Sequence, residues 1–200
     1  MKRTAYIFIC SALALLHMGA KEPDVEYDIL EASEIVLEGY TNINTFRCNN
    51  KEIVKRDSSQ TIIATPTDYG LDLEGVNFAI SVDGFSCKIP GMEGDIDELL
   101  NAENFPYIEF DITHLQVPDG KNGTASARIS IAGKERLGLI DFTLLSREPH
   151  IHMKGSTPLY LSEFELEAPK KMLGMVVVRD QFLIEFDLVL KLRKKQTVSE

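Results

Sequence analysis

The chain predicts an all-β protein, an antiparallel β-barrel of about eight or more strands carrying one short helix. Three observations predict it. Apolar and polar residues alternate with period two in segment after segment. Turns rich in Gly, Pro and Asp punctuate those segments. One stretch alone has convincing helical spacing.

Val25 to Leu30 and Ile35 to Tyr40 read as extended segments, followed by Phe46 to Val54 and Gln60 to Ala64. Val76, Phe78, Ile80 and Val82 then alternate with Asn77, Ala79, Ser81 and Asp83, the period of a half-buried strand. Asp95 to Ala102 is the helix. Ile96, Leu99 and Leu100 fall on one side of it, and acidic residues occupy its first turn, where the helix dipole favours them. Asn104-Phe105-Pro106 ends it.

Beyond the helix, Ile108, Phe110 and Ile112 alternate with Glu109 and Asp111, and Ala127, Ile129 and Ile131 with Arg128 and Ser130. Pro118 to Gly123 and Ala132 to Glu135 are hairpin loops, and Arg179-Asp180 predicts a tight turn between the last two strands. In the last strand Ile184, Phe186, Leu188 and Leu190 alternate with Glu185, Asp187 and Lys191, with Val189 the exception. Many short antiparallel strands make a sandwich or a barrel, and periodicity does not choose between them. Closure into a barrel removes the edge strands that an exported β protein must otherwise protect.

Export is itself legible at the N-terminus. Lys2 and Arg3 precede an apolar run from Ala5 to Leu16, and His17-Met18-Gly19-Ala20 ends in small residues before Lys21-Glu22-Pro23. That is the layout of a cleavable secretory signal, with an apolar stretch too short to span a bilayer comfortably. Cleavage after Ala20 is expected, leaving one domain over residues 21–200. Ile9 precedes Cys10 where a lipoprotein site wants a small residue, so lipidation is not expected.

The formal charge is −10, and the mature part keeps 19 of the 21 basic residues and all 31 acidic ones, hence about −12. Phosphate backbones and anionic lipid surfaces repel such a protein, and there is no tryptophan to stack on bases. Nucleic acid and stable membrane insertion are therefore disfavoured. The mature chain retains two cysteines, Cys48 and Cys87. In an exported protein an even pair is read first as a disulfide, with two buried free thiols as the alternative.

Catalytic chemistry is thin. There is no phosphate-cradling glycine loop, no Gly-x-Ser-x-Gly elbow and no calcium loop. His150 and His152 would share a strand face, but His114 is the one further imidazole of the mature chain, which argues against a metal site. Asp95, Asp97 and Glu98 read as a solvated helix face. No enzyme activity, cofactor or metal is expected.

Four segments, in order, resemble the YceI-like family of exported lipid-binding barrels. They are Gly39 to Cys48, reading GYTNINTFRC; Phe85-Ser86-Cys87 with Met92, Asp95, Leu99-Leu100 and the run Phe105 to Phe110; Ile129 to Gly133; and Pro169 to Gly174 with Val178-Arg179-Asp180 and Ile184-Glu185-Phe186. The likeness covers essentially the whole mature chain. It departs at Glu163-Phe164-Glu165-Leu166 and at Lys134-Glu135-Arg136, changes that leave the fold untouched and the identity of the ligand open.

The resemblance implies a lipocalin-like barrel flanked by one helix, set in the periplasm of a Gram-negative bacterium. It implies a long polyisoprenoid chain, polyprenyl or isoprenoid quinone, held along the barrel axis, with a role in lipid carriage, storage or stress. The expected lumen contacts are Phe78, Ile80, Ile108, Phe110, Ile129, Ile131, Phe186 and Leu188. The partners implied are an isoprenoid-like lipid and, at most, a second copy in a homodimer. If the same residues instead filled the barrel, the alternative would be a non-enzymatic interaction protein, binding a protein or glycan through its acidic exterior.

Overall fold

The structure, a computed structural model, describes residues 25–54, 62–147, 150–168, 170–171 and 175–194. The segment expected to be a secretory signal, the start of the Gln60 segment, and Pro169 with 172–174 of the last motif lie outside the described residues. The first half of the chain forms β1 (Val25–Ile29), β2 (Glu34–Thr41), β3 (Thr45–Asn50), β4 (Ile53–Val54), β5 (Ile63–Thr67), β6 (Gly70–Glu74), β7 (Asn77–Ser81) and β8 (Ser86–Cys87). Helix α1 (Met92–Leu100) follows. Then come β9 (Tyr107–Gln116), β10 (Asn122–Ile131), β11 (Lys134–Arg147), β12 (His150–Tyr160), a 3-10 turn (Leu161–Phe164), β13 (Lys170–Lys171) and β14 (Val176–Lys194).

The sheet runs β4-β7-β9-β10-β11-β12-β14-β2-β3-β8, every ladder antiparallel. Its ends meet because β3 and β4 are one kinked segment. β3 pairs with β2, Cys48 opposite Leu37, while β4 pairs with β7, Ile53 opposite Ile80. Asn50 pins the kink: its side-chain amide donates to the Ser81 carbonyl at 2.6 Å and its side-chain oxygen accepts the Glu52 N–H at 2.7 Å. The sheet thus curls round on itself as a barrel. The β5–β6 hairpin stands at one end, meeting β9 at Leu115 and His114. Helix α1 lies at the other end, near the start of β9.

Alternation places Ile35 and Leu37, Phe78 and Ile80, Ile108 and Phe110, Ile140 and Phe142, and Ile184 and Phe186 inside, all buried. Three inward glycines shape the curl. Gly39, Gly123 and Gly155 sit opposite Phe46, Phe142 and Phe186 on the neighbouring strands. In each case a ring carbon lies within 2.0, 2.5 and 2.5 Å, respectively, of where a Cβ would be. The rings cover backbone that a side chain would otherwise occupy, which lets adjacent strands coil closely.

Two expectations from the sequence are corrected. The helix starts at Met92 rather than Asp95 and stops at Leu100, short of Ala102. Asn101 ends it in the left-handed conformation (φ 54°), and the N–H groups of Asn101 and Ala102 donate to the Glu98 and Asp97 carbonyls. The early start is secured by Glu93, whose carboxylate accepts the Cys87 N–H at 2.8 Å, a bond that holds this acid below its ordinary pKa. Arg179-Asp180 is not a turn. β14 runs through it as an irregularity, its register with β2 shifting between Val178 and Phe182. The Asp180 carboxylate accepts the Ser162 N–H and hydroxyl at 2.8 and 2.7 Å, so this polar dipeptide serves the 3-10 turn instead of reversing the chain.

Tyr27 ties β1 to β7, two strands that are not paired with each other. Its hydroxyl donates to the Asn77 carbonyl at 2.5 Å and accepts the Asn77 N–H at 3.0 Å. Burial, with a smaller contribution from Asp111, pushes the phenol up from 10.0 to about 12. The folded state therefore holds this proton more tightly than the unfolded chain. The resulting stability is fully present below pH 10 and is lost as pH rises through 12. Tyr27→Phe is expected to cost about 1–2 kcal/mol at neutral pH and to flatten the decline above pH 10. Urea unfolding of both proteins at pH 8 and pH 11 checks this, and an equally steep alkaline decline in the variant would refute it.

Candidate ligand-binding cavity

Inside the barrel the apolar faces do not fill the space. At the hairpin end they enclose a cavity of about 290 Å³ between β2, β7, β9, β10, β11, β12 and β14. Phe78, Phe110, Phe142, Phe186, Ile112 and Leu188 wall it, the rings of Phe78 and Phe110 stacked with centroids 4.9 Å apart. Ile62 and Leu73 reach it from the hairpin, and Leu144, Ile151, Met153 and Leu190 stand towards the same end. Ala125 on β10 is the small residue in its wall, while the space inside Gly123 and Gly155 is taken by the rings of Phe142 and Phe186.

Among the described residues no charged side chain lines this cavity. Thr157 is the polar exception, and its hydroxyl donates to the Leu139 carbonyl at 3.0 Å. The site thus offers no nucleophile, base or ion to a bound molecule. What it offers is burial, worth roughly 0.8 kcal/mol per methylene removed from water.

Below the cavity the barrel is packed. Along the strands, Ile35, Ile80, Phe110 and Ile184 are the last residues to line it, and Leu37, Val82, Ile108 and Phe182 come next inward. Helix α1 closes that end with Ile96 and Leu100, beside Leu161 of the 3-10 turn. A pocket of about 50 Å³ remains there, under the Phe46 ring and Gly39.

Of the eight lumen residues expected from sequence, Phe78, Ile80, Phe110, Phe186 and Leu188 line the large cavity. Ile108 lines the small pocket. Ile129 and Ile131, 0% and 1% exposed, line neither and belong to the packed part. The walls from β11 and β12 were missed. Ile140, Phe142 and Leu144 do alternate with Asp141 and Thr143, a usable signal. It is masked by Leu137-Gly138-Leu139 just before it, where the leucines point outward, 80% and 66% exposed. Gly138 points in under Ile129, whose Cδ1 lies 2.8 Å from where a Cβ would stand.

Cys48 and Cys87 face each other across β3 and β8 and form a disulfide with S–S 2.00 Å, not two free thiols. His114 pairs with Asp72 at 2.6 Å, linking β9 to the hairpin. Among the described residues no three His, Cys, Asp or Glu side chains are grouped to hold a metal ion, and no helix is long and apolar enough to cross a membrane.

An antiparallel barrel with an apolar chamber and a disulfide is thus the class of protein the fold and the site define. The chain belongs to the YceI-like domain family, whose model matches residues 37–190. Among solved structures it is similar to BcnA of Burkholderia cenocepacia, at 17% identity and TM-score 0.64, covering 81% of this chain and 99% of that one. It is also similar to a polyisoprenoid-binding domain from Saccharophagus degradans, at 11% identity and TM-score 0.57, covering 85% and 99%. A YceI protein of Campylobacter jejuni matches at 11% identity and TM-score 0.52, covering 75% and 85%. At these identities the likeness is one of fold. Among curated proteins none matches the sequence.

Proposed function

We propose that this protein is a non-catalytic carrier that holds an isoprenoid-type lipid by its apolar chain inside the barrel. The observation that carries the reading is the cavity of about 290 Å³, walled by aliphatic and aromatic side chains and free of charge among the described residues. Such a chamber rewards a branched hydrocarbon and recognises little else. Membership of the YceI-like family and the polyisoprenoid-binding domain among its structural neighbours support the same ligand class. Export to the periplasm through the cleaved segment 1–20 is part of the proposal, and the Cys48–Cys87 disulfide suits an oxidising compartment.

The test is mass spectrometry of protein secreted with its own leader into a bacterial periplasm and purified without detergent. An organic extract should contain one isoprenoid species in near-stoichiometric amount, and the intact polypeptide should begin at Lys21. An extract that stays empty after incubation with an isoprenoid mixture would remove the carrier reading, and a chain still beginning at Met1 would remove the export reading.

A further inference from the structure

We infer that the barrel encloses only two to three isoprene units, about C10 to C15, and that any longer chain leaves it along the inner face of the β5–β6 hairpin. The inference rests on the carrier reading and adds to it a length limit and a direction. Volume sets the limit. A dry cavity of roughly 150 Å³ accommodates one benzene, six carbons, so about 290 Å³ holds on the order of twelve. Two units fill that space and the third reaches its rim.

The chain cannot continue past the floor. Ile35, Ile80 and Ile184, each 0–1% exposed, end the cavity, and Ile108, Ile129 and Ile131 pack immediately beyond. The pocket on the far side, about 50 Å³, is smaller than one isoprene unit on the same scale. Past it, Ile96, Leu100 and Leu161 close the end of the barrel. A core packed to this density does not thread a branched chain without moving.

The other end is built differently. In the hairpin Ala64 pairs with Leu73 and Pro66 with Leu71, and alternation puts Ile62, Ala64, Pro66, Leu71 and Leu73 on one face. Ile62 and Leu73 line the cavity, whereas Ala64, Pro66 and Leu71 are exposed. One apolar strip therefore runs from inside the barrel to solvent, and the hairpin extends the wall beyond the rim. A ligand enters tail first from this side, its head group left outside.

Displacement of a fluorescent apolar probe from delipidated mature protein tests both parts, using geraniol (C10), farnesol (C15), geranylgeraniol (C20) and solanesol (C45). Farnesol is expected to bind at least about tenfold more tightly than geraniol, and the two longer alcohols no more than about threefold more tightly than farnesol. An affinity that climbs about tenfold or more with each unit past farnesol overturns the limit while leaving the carrier reading standing. Failure of all four alcohols to displace the probe overturns the carrier reading itself.

Two variants locate the floor and the exit. Ile184→Ala removes part of the floor and should let geranylgeraniol gain about tenfold over farnesol. Leu71→Asp, at an exposed position on the hairpin, should bring geranylgeraniol down to the affinity of farnesol and leave geraniol unchanged. Equal effects of Leu71→Asp on both alcohols, or none on either, overturn the exit route.

Discussion

Gly155→Val is expected to cost the barrel about 3 kcal/mol and to abolish ligand uptake. A Cβ at this position would stand 2.2 Å from the Asp141 carbonyl oxygen, 2.9 Å from the Phe142 Cα and 2.5 Å from the Phe186 Cζ. Two of those three neighbours are backbone and cannot step aside. Inserting bulk into a packed interior typically costs 1–3 kcal/mol, and backbone contact sets this case at the upper end. β11 and β12 would have to separate, and Phe142 and Phe186, both walls of the cavity, would be driven into it. Urea unfolding gives the stability and probe displacement gives the uptake. Gly94→Ala in helix α1, with open space around the added methyl, is the control and should lose nothing. A Gly155→Val protein as stable as the control would mean that the β11–β12 spacing yields easily.

Reduction of Cys48–Cys87 has the second large effect. The bond joins cysteines 39 positions apart in sequence, worth about 4 kcal/mol in the chain-entropy model. Domains are typically stable by only 5–15 kcal/mol, so the reduced protein should melt about 10 °C lower. The loss is concentrated where it matters. β8 is two residues long and among the described residues pairs with β3 alone, and helix α1 begins five residues after it. Loosening this bridge loosens the packed end of the barrel, against which the cavity floor rests. Melting curves with and without a phosphine reductant measure the shift, and coincident curves would show that the surrounding core holds the bridge region unaided.

What could be read from the sequence follows from which residues face water. Strands β9 and β14 each put an apolar side against the core and a polar side outward, so Ile108 to Ile112 and Ile184 to Leu190 were visible as alternation; β7 alternates too, but it is buried on both faces rather than half-buried, Asn77, Ala79 and Ser81 included. The β5–β6 hairpin was not, because both of its faces are largely exposed and Pro66 interrupts one strand. The reversal in β11 was hidden for a complementary reason: two leucines stand in solvent while a glycine, which carries no hydropathy signal, takes the inward place. The cavity is harder still. Whether Phe78 and Ile129 border a void or each other depends on volumes summed across seven strands and not on any local pattern. That is why five of the eight expected residues meet the large cavity and Ile129 and Ile131, identical in character, do not.

The kinked segment from Thr45 to Val54 gives the barrel a hem. Around the wall, β10 and β11 share ten residue pairs and β11 and β12 seven, but among the described residues β4 and β7 share two, Ile53 with Ile80 and Val54 with Ala79, beside the bond that the Ser81 N–H donates to the Glu52 carbonyl. Hydrogen bonds in a ladder part together, so a two-pair stitch comes undone at a small fraction of the free energy needed to open the long ladders. This hem lies against Ile80, at the cavity wall. Among the described residues this is the shortest ladder in the circuit, so a bulky branched chain that widens the chamber is expected to strain that stitch first.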